Sequence, residues 1–315
     1  MIKDELLIST GGIVKRAIEI FSELELNDIY EIRIRNNRPI VFRSFNKEIF
    51  IDKNFNKILD YKKGLIIKND DIYKTVELMS RYSLYAFDED LRKGFITIKG
   101  GHRAGILGKV VLENNKIKTL TNISSINIRI SHQIKGCSKK VIPYITTNKN
   151  EIYNTMIISP PGYGKTTILR DIIMNLSNGT DNGFFGKNVC VIDERSEICG
   201  SFLGECRNDI GIRTDVLDSC PKAEGIELIL RSMSPEIIAV DEIGKEDDIL
   251  ALMNAFNNGV SIICTIHGKN IDDIYSKKSL NKIMESRYFD RYIVLGKMGQ
   301  ELKIYENNGN VIYKG

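Results

Sequence analysis

A chain of 315 residues can hold two separate cores, and its 45 Lys/Arg against 41 Asp/Glu give a formal charge of only +4. Residues 1–150 carry 27 Lys/Arg and 17 Asp/Glu while residues 151–315 carry 18 and 24, so the basic half faces an acidic partner (a neighbouring subunit's acidic half, nucleic acid or an anionic membrane surface) or is simply a solvated basic face. No run approaches the ~18 apolar residues of a bilayer span, and residues 1–5 lack the apolar core of a signal peptide, so the chain is expected to be made and kept in the cytosol.

The predicted elements begin with a helix over residues 13–24, where Ile13, Val14, Ala17, Ile18, Phe21 and Leu24 fall at helical spacing. Residues 29–35 alternate apolar and charged side chains, Asn36-Asn37-Arg38-Pro39 supplies turn chemistry, and Ile40-Val41-Phe42 resumes an extended pattern, which makes a β-hairpin. Asp70-Asp71 caps a helix carrying Ile72, Val76 and Met79, and residues 83–91 read as a further helical piece. Strands follow at 94–98, 102–112 and 116–121, joined by Gly-Gly and Asn-Asn turns, with a last extended piece at 127–130. Residues 1–135 are therefore expected to form a smaller α+β domain with a mixed or antiparallel sheet. A linking helix is expected at 138–145. Within 136–315, strands at 156–159, 188–193, 237–241 and 260–266 alternate with helices starting at Thr166 and spanning 223–232 and 247–257, the pattern of an α/β domain with a parallel, doubly wound sheet. The six cysteines, at 137, 190, 199, 206, 220 and 264, form no C-x-x-C pair and have no His at ligand spacing, so no zinc site is expected and most are read as small buried hydrophobes.

The run Ile157-Ile158-Ser159-Pro160-Pro161-Gly162-Tyr163-Gly164-Lys165-Thr166-Thr167, followed by Ile168, Leu169, Ile172, Ile173 and Leu176, has the order strand, phosphate-binding loop, amphipathic helix. Small residues let backbone N–H groups curl around phosphates, and the helix N-terminus adds partial positive charge. Lys165 is placed for the β/γ-phosphates of a nucleoside triphosphate and the Thr166 hydroxyl for Mg²⁺. Ser159 stands where the G-x-x-x-x-G-K-[ST] pattern has its first glycine.

Ile237-Ile238-Ala239-Val240-Asp241-Glu242 is an apolar strand ending in two carboxylates, Walker B chemistry in which Asp241 holds Mg²⁺ through water and Glu242 polarises the attacking water. A second strand ends in Asp193-Glu194-Arg195, which makes Glu194 a competing base, because strand carboxyl ends converge on one crevice in an open α/β sheet. A third ends in His267, placed to sense the γ-phosphate. Asp241-Glu242-Ile243-Gly244 also satisfies the D-x-x-G of GTPases, but Asn281-Lys282-Ile283-Met284 fails as a guanine-reading N-K-x-D, so ATP is the expected nucleotide.

The phosphate loop, the Asp193-Glu194 strand, the Asp241-Glu242-Ile243 strand with its 230–236 run-in and the Thr265-Ile266-His267 strand together resemble the secretion and type IV pilus motor ATPases, which are RecA-like P-loop enzymes of the ASCE class. More closely, the chain resembles the stage III sporulation protein AA family of endospore-forming bacteria, from about Asn27 to Gly268 and beyond, including the Gly94 to Gly108 stretch with Gly100-Gly101-His102-Arg103. In that resemblance Asp193-Glu194 matches the motor family's acidic box, Glu242 its Walker B glutamate and His267 its histidine box; the motors usually carry Gly-Glu-Ile-Arg where this chain has Asp241-Glu242-Ile243-Gly244.

The resemblance implies a hexameric ring in which basic residues of one subunit's first domain complete a neighbour's nucleotide site, and Arg103 and Arg129, on late strands of that domain, are the residues expected there. It also implies a Mg-dependent ATPase that powers or assembles a membrane complex, a stage III sporulation channel between mother cell and forespore, from the cytoplasmic side through partner proteins. The alternative is a nucleic-acid-dependent ATPase gripping a phosphate backbone with its basic half, with Tyr82, Tyr85 and Phe87 near Arg81 and Arg92 as the stacking surface.

Overall fold

The computed structural model describes residues 2–80, 94–181, 183–201, 204–277, 280–296 and 301–315. Two compact units emerge, Met1–His132 with Gly200–Arg207, and Gln133–Cys199 with Asn208–Gly315.

The first unit opens with helices α1 (Ile2–Ser9), α2 (Gly12–Glu19) and α3 (Glu23–Asn27) and adds α4 (Asn69–Met79). The helix expected over 13–24 is two, because Ser22 starts a new one: its hydroxyl accepts the Glu25 N–H while the Glu25 carboxylate accepts the Ser22 N–H. Strands β1 (Ile29–Arg35), β2 (Val41–Ser44), β3 (Glu48–Ile51), β4 (Lys57–Ile58), β5 (Phe95–Ile98), β6 (His102–Glu113) and β7 (Lys116–Arg129) make one sheet in the order β4-β3-β2-β1-β7-β6-β5. Every pairing in it is antiparallel. β7 joins the pieces expected at 116–121 and 127–130 into one strand that ends at Arg129. Strand alternation sends Ile32, Ile34, Ala104, Ile126 and Ile128 to a core that also receives Leu6, Val14, Ile18 and Ile72 from the helices. The helical piece expected at 83–91 and the aromatics Tyr82, Tyr85 and Phe87 lie outside the described residues.

The segment Gly200–Arg207 is fastened into this first unit through the half-buried Arg207. Arg207 donates from Nε to Glu5 Oε2 at 3.1 Å and from Nη1 to the Ser131 carbonyl at 2.8 Å. His102 is fully buried, accepts the Ser131 N–H at Nδ1, and holds Nε2 3.2 Å from Glu5 Oε2. An accepting Nδ1 puts the proton of the neutral ring on Nε2, facing the carboxylate. Burial pushes the His102 pKa down despite the pull of Glu5, which keeps the ring neutral at pH 7.

The second unit carries α5 (Ile142–Ile145), β8 (Thr155–Ser159), α6 (Lys165–Asn178), β9 (Val189–Asp193), β10 (Thr214–Asp218), α7 (Lys222–Ser232), β11 (Ile237–Val240), α8 (Glu246–Asn257), β12 (Ser261–His267), α9 (Ile271–Tyr275), α10 (Asn281–Glu285), β13 (Arg291–Leu295), β14 (Leu302–Glu306) and β15 (Val311–Lys314). The strand order is β10-β9-β11-β12-β8-β13-β14-β15. Pairing is parallel from β10 to β13 and antiparallel for β14 and β15. The sheet expected to be parallel is therefore mixed: the four residues Asn307-Asn308-Gly309-Asn310 close β14 onto β15 as a hairpin, and a connection that short permits only antiparallel pairing.

Both faces of this sheet are apolar. Met156, Ile158, Cys190, Ile192, Ile238 and Val240 pack with Ile226 and Ile229 of α7 and Ile249 and Leu252 of α8, whereas Ile157, Val189, Val191, Ile237 and Ala239 pack with Ile168, Leu169, Ile172, Ile173 and Leu176 of α6. Each such fully buried aliphatic side chain contributes roughly 1.5–3 kcal/mol. Of the cysteines, Cys190, Cys199 and Cys264 are buried as expected, but Cys137 and Cys206 are exposed and Cys220 is half-buried. Among the described residues no three His, Cys, Asp or Glu side chains gather as a metal cluster.

Candidate functional site

The site lies at the carboxyl ends of β8, β11 and β12 in the second unit. β8 ends at Ser159, and the loop 160–164 delivers the chain into α6 at Lys165. Gly162 and Gly164 have φ of 77° and 92°, and a Cβ at either would touch nothing within 4 Å. The requirement for glycine is thus conformational rather than steric. Ser159 is fully buried, sits in register with His267, and its carbonyl accepts the Gly268 N–H, so the first loop position is tied to the neighbouring strand. A serine side chain fits there because its hydroxyl donates to the Pro160 carbonyl at 3.0 Å.

Lys165 is buried at the start of α6, its Nζ donating to the carbonyls of Ser159 (3.1 Å) and Pro160 (3.4 Å). Burial pushes its pKa down, against the pull of Glu242, Asp241 and Glu197. Thr166, next along, holds Oγ1 3.4 Å from Asp241 Oδ2, so the loop hydroxyl meets the carboxylate at the end of β11 although β12 runs between the two strands. β12 supplies the link. Thr265 donates to Asp241 Oδ1 at 2.7 Å and accepts the Glu242 N–H at 2.9 Å, and its carbonyl takes the Ile243 N–H. Glu242 itself has a φ of 38°, in the left-handed region that non-glycine residues seldom occupy.

A cavity of about 510 Å³ is lined by Pro161, Gly162, Gly164, Lys165, Thr166, Thr167, Arg195, Glu197, Glu242 and His267. Glu242 and His267 both line this cavity. Glu194 does not line this cavity; it lines the adjacent one, of about 320 Å³, and is held there by an ion pair with Lys222, with Lys245 4.0 Å away. Burial raises the Glu194 pKa, but these lysines outweigh it and keep the carboxylate ionised.

Glu197 takes its place at the loop cavity, a residue that no sequence motif marked. Its position is fixed from two sides: Arg170 of α6 donates to the Glu197 and Ile198 carbonyls at 2.6 Å each, and the buried Asp193 carboxylate accepts the N–H groups of Glu197, Ile198 and Cys199. No motif marked Thr265 either, although it bonds both Asp241 and the Glu242 N–H. Its signal was present in the Thr265-Ile266-His267 strand end, but a strand-end threonine carries no chemistry until the neighbouring strands are known.

A second cavity at the loop, of about 630 Å³, is lined by Cys137, Tyr163, Gly164, Thr167, Ile168, Leu295 and Tyr313, among others, and is largely apolar. Asp171 of α6 shapes its wall by accepting the N–H groups of Gly136 and Ser138 and the Ser138 hydroxyl.

Arg103 and Arg129 belong to the first unit and face each other across β6 and β7. In register they continue a row across the sheet, Arg43, Glu31, Arg129, Arg103. Glu31 is its buried hub: burial raises its pKa, but hydrogen bonds from Arg33, Asn127 and Arg43 overcome this and hold it down at about 2. Arg129 is exposed, and the Arg103 guanidinium lies 4.7 Å over the Phe95 ring.

The fold is shared with solved structures of an ATPase and of a pilus motor. The chain is similar to the ATPase DotB of Legionella pneumophila, with a TM-score of 0.57 at 16% identity over 95% of this chain and 78% of that one. It is similar to the pilus retraction motor PilT, solved with bound ADP, with a TM-score of 0.56 at 16% identity over 93% of this chain and 80% of that one. In sequence it is 40% identical over 302 residues to Stage III sporulation protein AA of Bacillus subtilis (strain 168), covering 95% of this chain and 94% of that protein. The family described as sporulation stage III, protein AA matches residues 4–312, and the chain belongs to it.

Proposed function

We propose that the chain is a Mg-dependent ATPase that works as a ring-forming motor or assembly factor on a membrane complex of sporulation. The observation that carries the reading is the Thr166–Asp241–Thr265 contact, which joins the phosphate loop to the carboxylate strand inside one cavity with Lys165, Glu242 and His267. Lys165 neutralises the β/γ-phosphates, which the loop 159–167 wraps with its backbone N–H groups. Thr166 and Asp241 offer hard oxygens of the kind Mg²⁺ takes, and they fit it electrostatically: burial and the nearby Glu197 and Glu242 carboxylates push the Asp241 pKa up, a crowding that a divalent cation relieves. Bound there, Mg²⁺ would neutralise charge developing on the phosphates.

Glu242 is our choice of base. It lines the loop cavity, where it can accept a proton from the attacking water, whereas Glu194 is engaged by Lys222. His267, which lines the same cavity, is our choice of γ-phosphate sensor. The apolar cavity beside Tyr163 and Thr167 suits the base of ATP. Arg103 and Arg129 are proposed to complete the site of a neighbouring subunit in a hexamer.

ATP hydrolysis by the purified chain tests the reading, measured alone, with single-stranded DNA, and with cytosolic segments of membrane proteins. Mg-dependent turnover, raised by a membrane-protein segment, is the expected result. Stimulation by DNA alone would move the function to the nucleic-acid alternative.

A further inference from the structure

The hairpin of β6 and β7 outgrows its sheet. β5 pairs with β6 only from His102 to Gly105, and β1 pairs with β7 only from Ser125 to Arg129. From Lys109 to Thr121 the two strands pair with each other alone among the described residues. Asn114 and Asn115, at φ of 52° and 58°, close the tip tightly. A bare two-stranded ribbon is marginal in water, and polar side chains would suit it best. Instead Leu107, Val110, Leu112 and Ile117 are 68%, 44%, 61% and 48% exposed on it. The charges among them are Lys109, Lys116 and Lys118, with Glu113 paired to Lys118 across the turn. The surrounding sequence has the same sign, since residues 94–150 hold ten Lys/Arg and only that one carboxylate.

The ribbon's backbone edges are poor templates for an added strand. Its pairing is irregular between Leu107 and Lys109 and again between Val111 and Leu112, and bulges with edge lysines are the devices that discourage strand addition. Side chains are therefore what this arm offers. An acidic protein groove would satisfy the lysines, but aliphatic side chains interleaved with them need an apolar layer directly beneath a negatively charged one. That is the cross-section of an anionic bilayer.

We propose that the β6–β7 arm docks the protein directly on an anionic lipid surface. Val110, Leu112 and Ile117 enter the boundary between headgroups and acyl chains, and Lys109 and Lys116 meet the lipid phosphates. Lysine stems are long enough to keep their ammonium groups at headgroup level while the aliphatic tips go deeper. At that depth water still reaches the ribbon's open N–H and C=O groups, as it must. No described helix is long and apolar enough to cross a membrane. The inference does not depend on the nucleotide reading.

The test is flotation of the full chain with vesicles of phosphatidylcholine alone and of phosphatidylcholine mixed with phosphatidylglycerol. Binding is expected only to the mixed vesicles and should weaken with salt. Lys109→Gln and Lys116→Gln should each lower it by about fivefold, and Leu112→Ser with Ile117→Ser should abolish it. Because the chain has no tryptophan, Leu112→Trp gives a single probe at an exposed position that leaves the core untouched. Its emission should shift to the blue with mixed vesicles and stay fixed with neutral ones. Failure of the wild-type chain to float, or an unshifted Leu112→Trp spectrum, overturns the proposal. So does a change of oligomeric state in the serine variants with lipid binding intact, which would make a second copy the occupant.

Discussion

Thr265 binds Asp241 at 2.7 Å with the same hydroxyl that receives the Glu242 N–H at 2.9 Å. One fully buried side chain on β12 therefore sets both carboxylate residues at the end of β11, and it holds Glu242 in a left-handed backbone conformation. Thr265→Val keeps the shape and removes the hydroxyl, leaving Asp241 and the Glu242 N–H each short of a partner. We expect a loss of roughly 1–3 kcal/mol in denaturant unfolding and a fall in turnover of about ten- to hundredfold from misplaced carboxylates. Thr265→Ser should retain most of both.

The two acidic strand ends make different predictions. Glu242→Gln should still bind ATP but lose roughly 10²–10⁴ in kcat. Glu194→Gln should release Lys222 and leave the chemical step largely intact. Single-turnover measurements separate binding from hydrolysis, and the reverse ranking would assign the base to Glu194.

Glu31 gives the first unit an acid limit. Its folded pKa of about 2 lies below the ordinary carboxylate value of 4.5, so the stability it contributes is present above pH 4.5 and is lost as pH falls toward 2. The contribution is on the order of 3 kcal/mol. Acid unfolding followed by circular dichroism should show the wild type losing stability progressively as pH falls from 4.5 toward 2. Glu31→Gln should lower stability at pH 7 and flatten the dependence below pH 4.5.

Arg103 and Arg129 can be tested for action between subunits. A variant lacking the responsible arginine should be inactive alone, by roughly 10³–10⁵ in rate if it acts as an arginine finger. Mixed with Lys165→Ala, it should recover activity at interfaces where an intact loop meets an intact arginine. Salt should weaken the recovery if the basic and acidic halves draw the subunits together. Absence of recovery in chains shown to exchange subunits would place the arginine outside a neighbour's site.

Much of the second unit was legible because its signals are local. The phosphate loop needs glycines at positive φ followed by Lys-Thr, and apolar strands ending in acids announce where a crevice opens. What escaped depends on strand order. β10, β13, β14 and β15 are short or half-exposed, and the roles of Thr265 and Glu197 exist only because β12 lies between β8 and β11 and because Arg170 and Asp193 pin the loop after β9. In the first unit, α1 escaped because apolar Leu7 and Ile8 lie off the buried face and blur its periodicity, although Ile2, Leu6 and Ser9 fall at helical spacing and are buried. Nothing in the sequence marks Gly200–Arg207 as part of that unit; its membership follows from Arg207 meeting Glu5, about two hundred positions earlier.

The most direct measurement is calorimetric titration of ATP into the folded wild-type chain and into Lys165→Ala, with and without Mg²⁺. Binding needs no partner protein and no turnover, so it isolates the claim that the loop 159–167 holds a triphosphate opposite Asp241. The wild type should bind ATP more tightly with Mg²⁺ than without, and Lys165→Ala, with an unchanged unfolding curve, should bind at least about tenfold more weakly because the charge set against the β/γ-phosphates is gone. Equal affinity in the two proteins, or no binding by the wild type, would contradict the account.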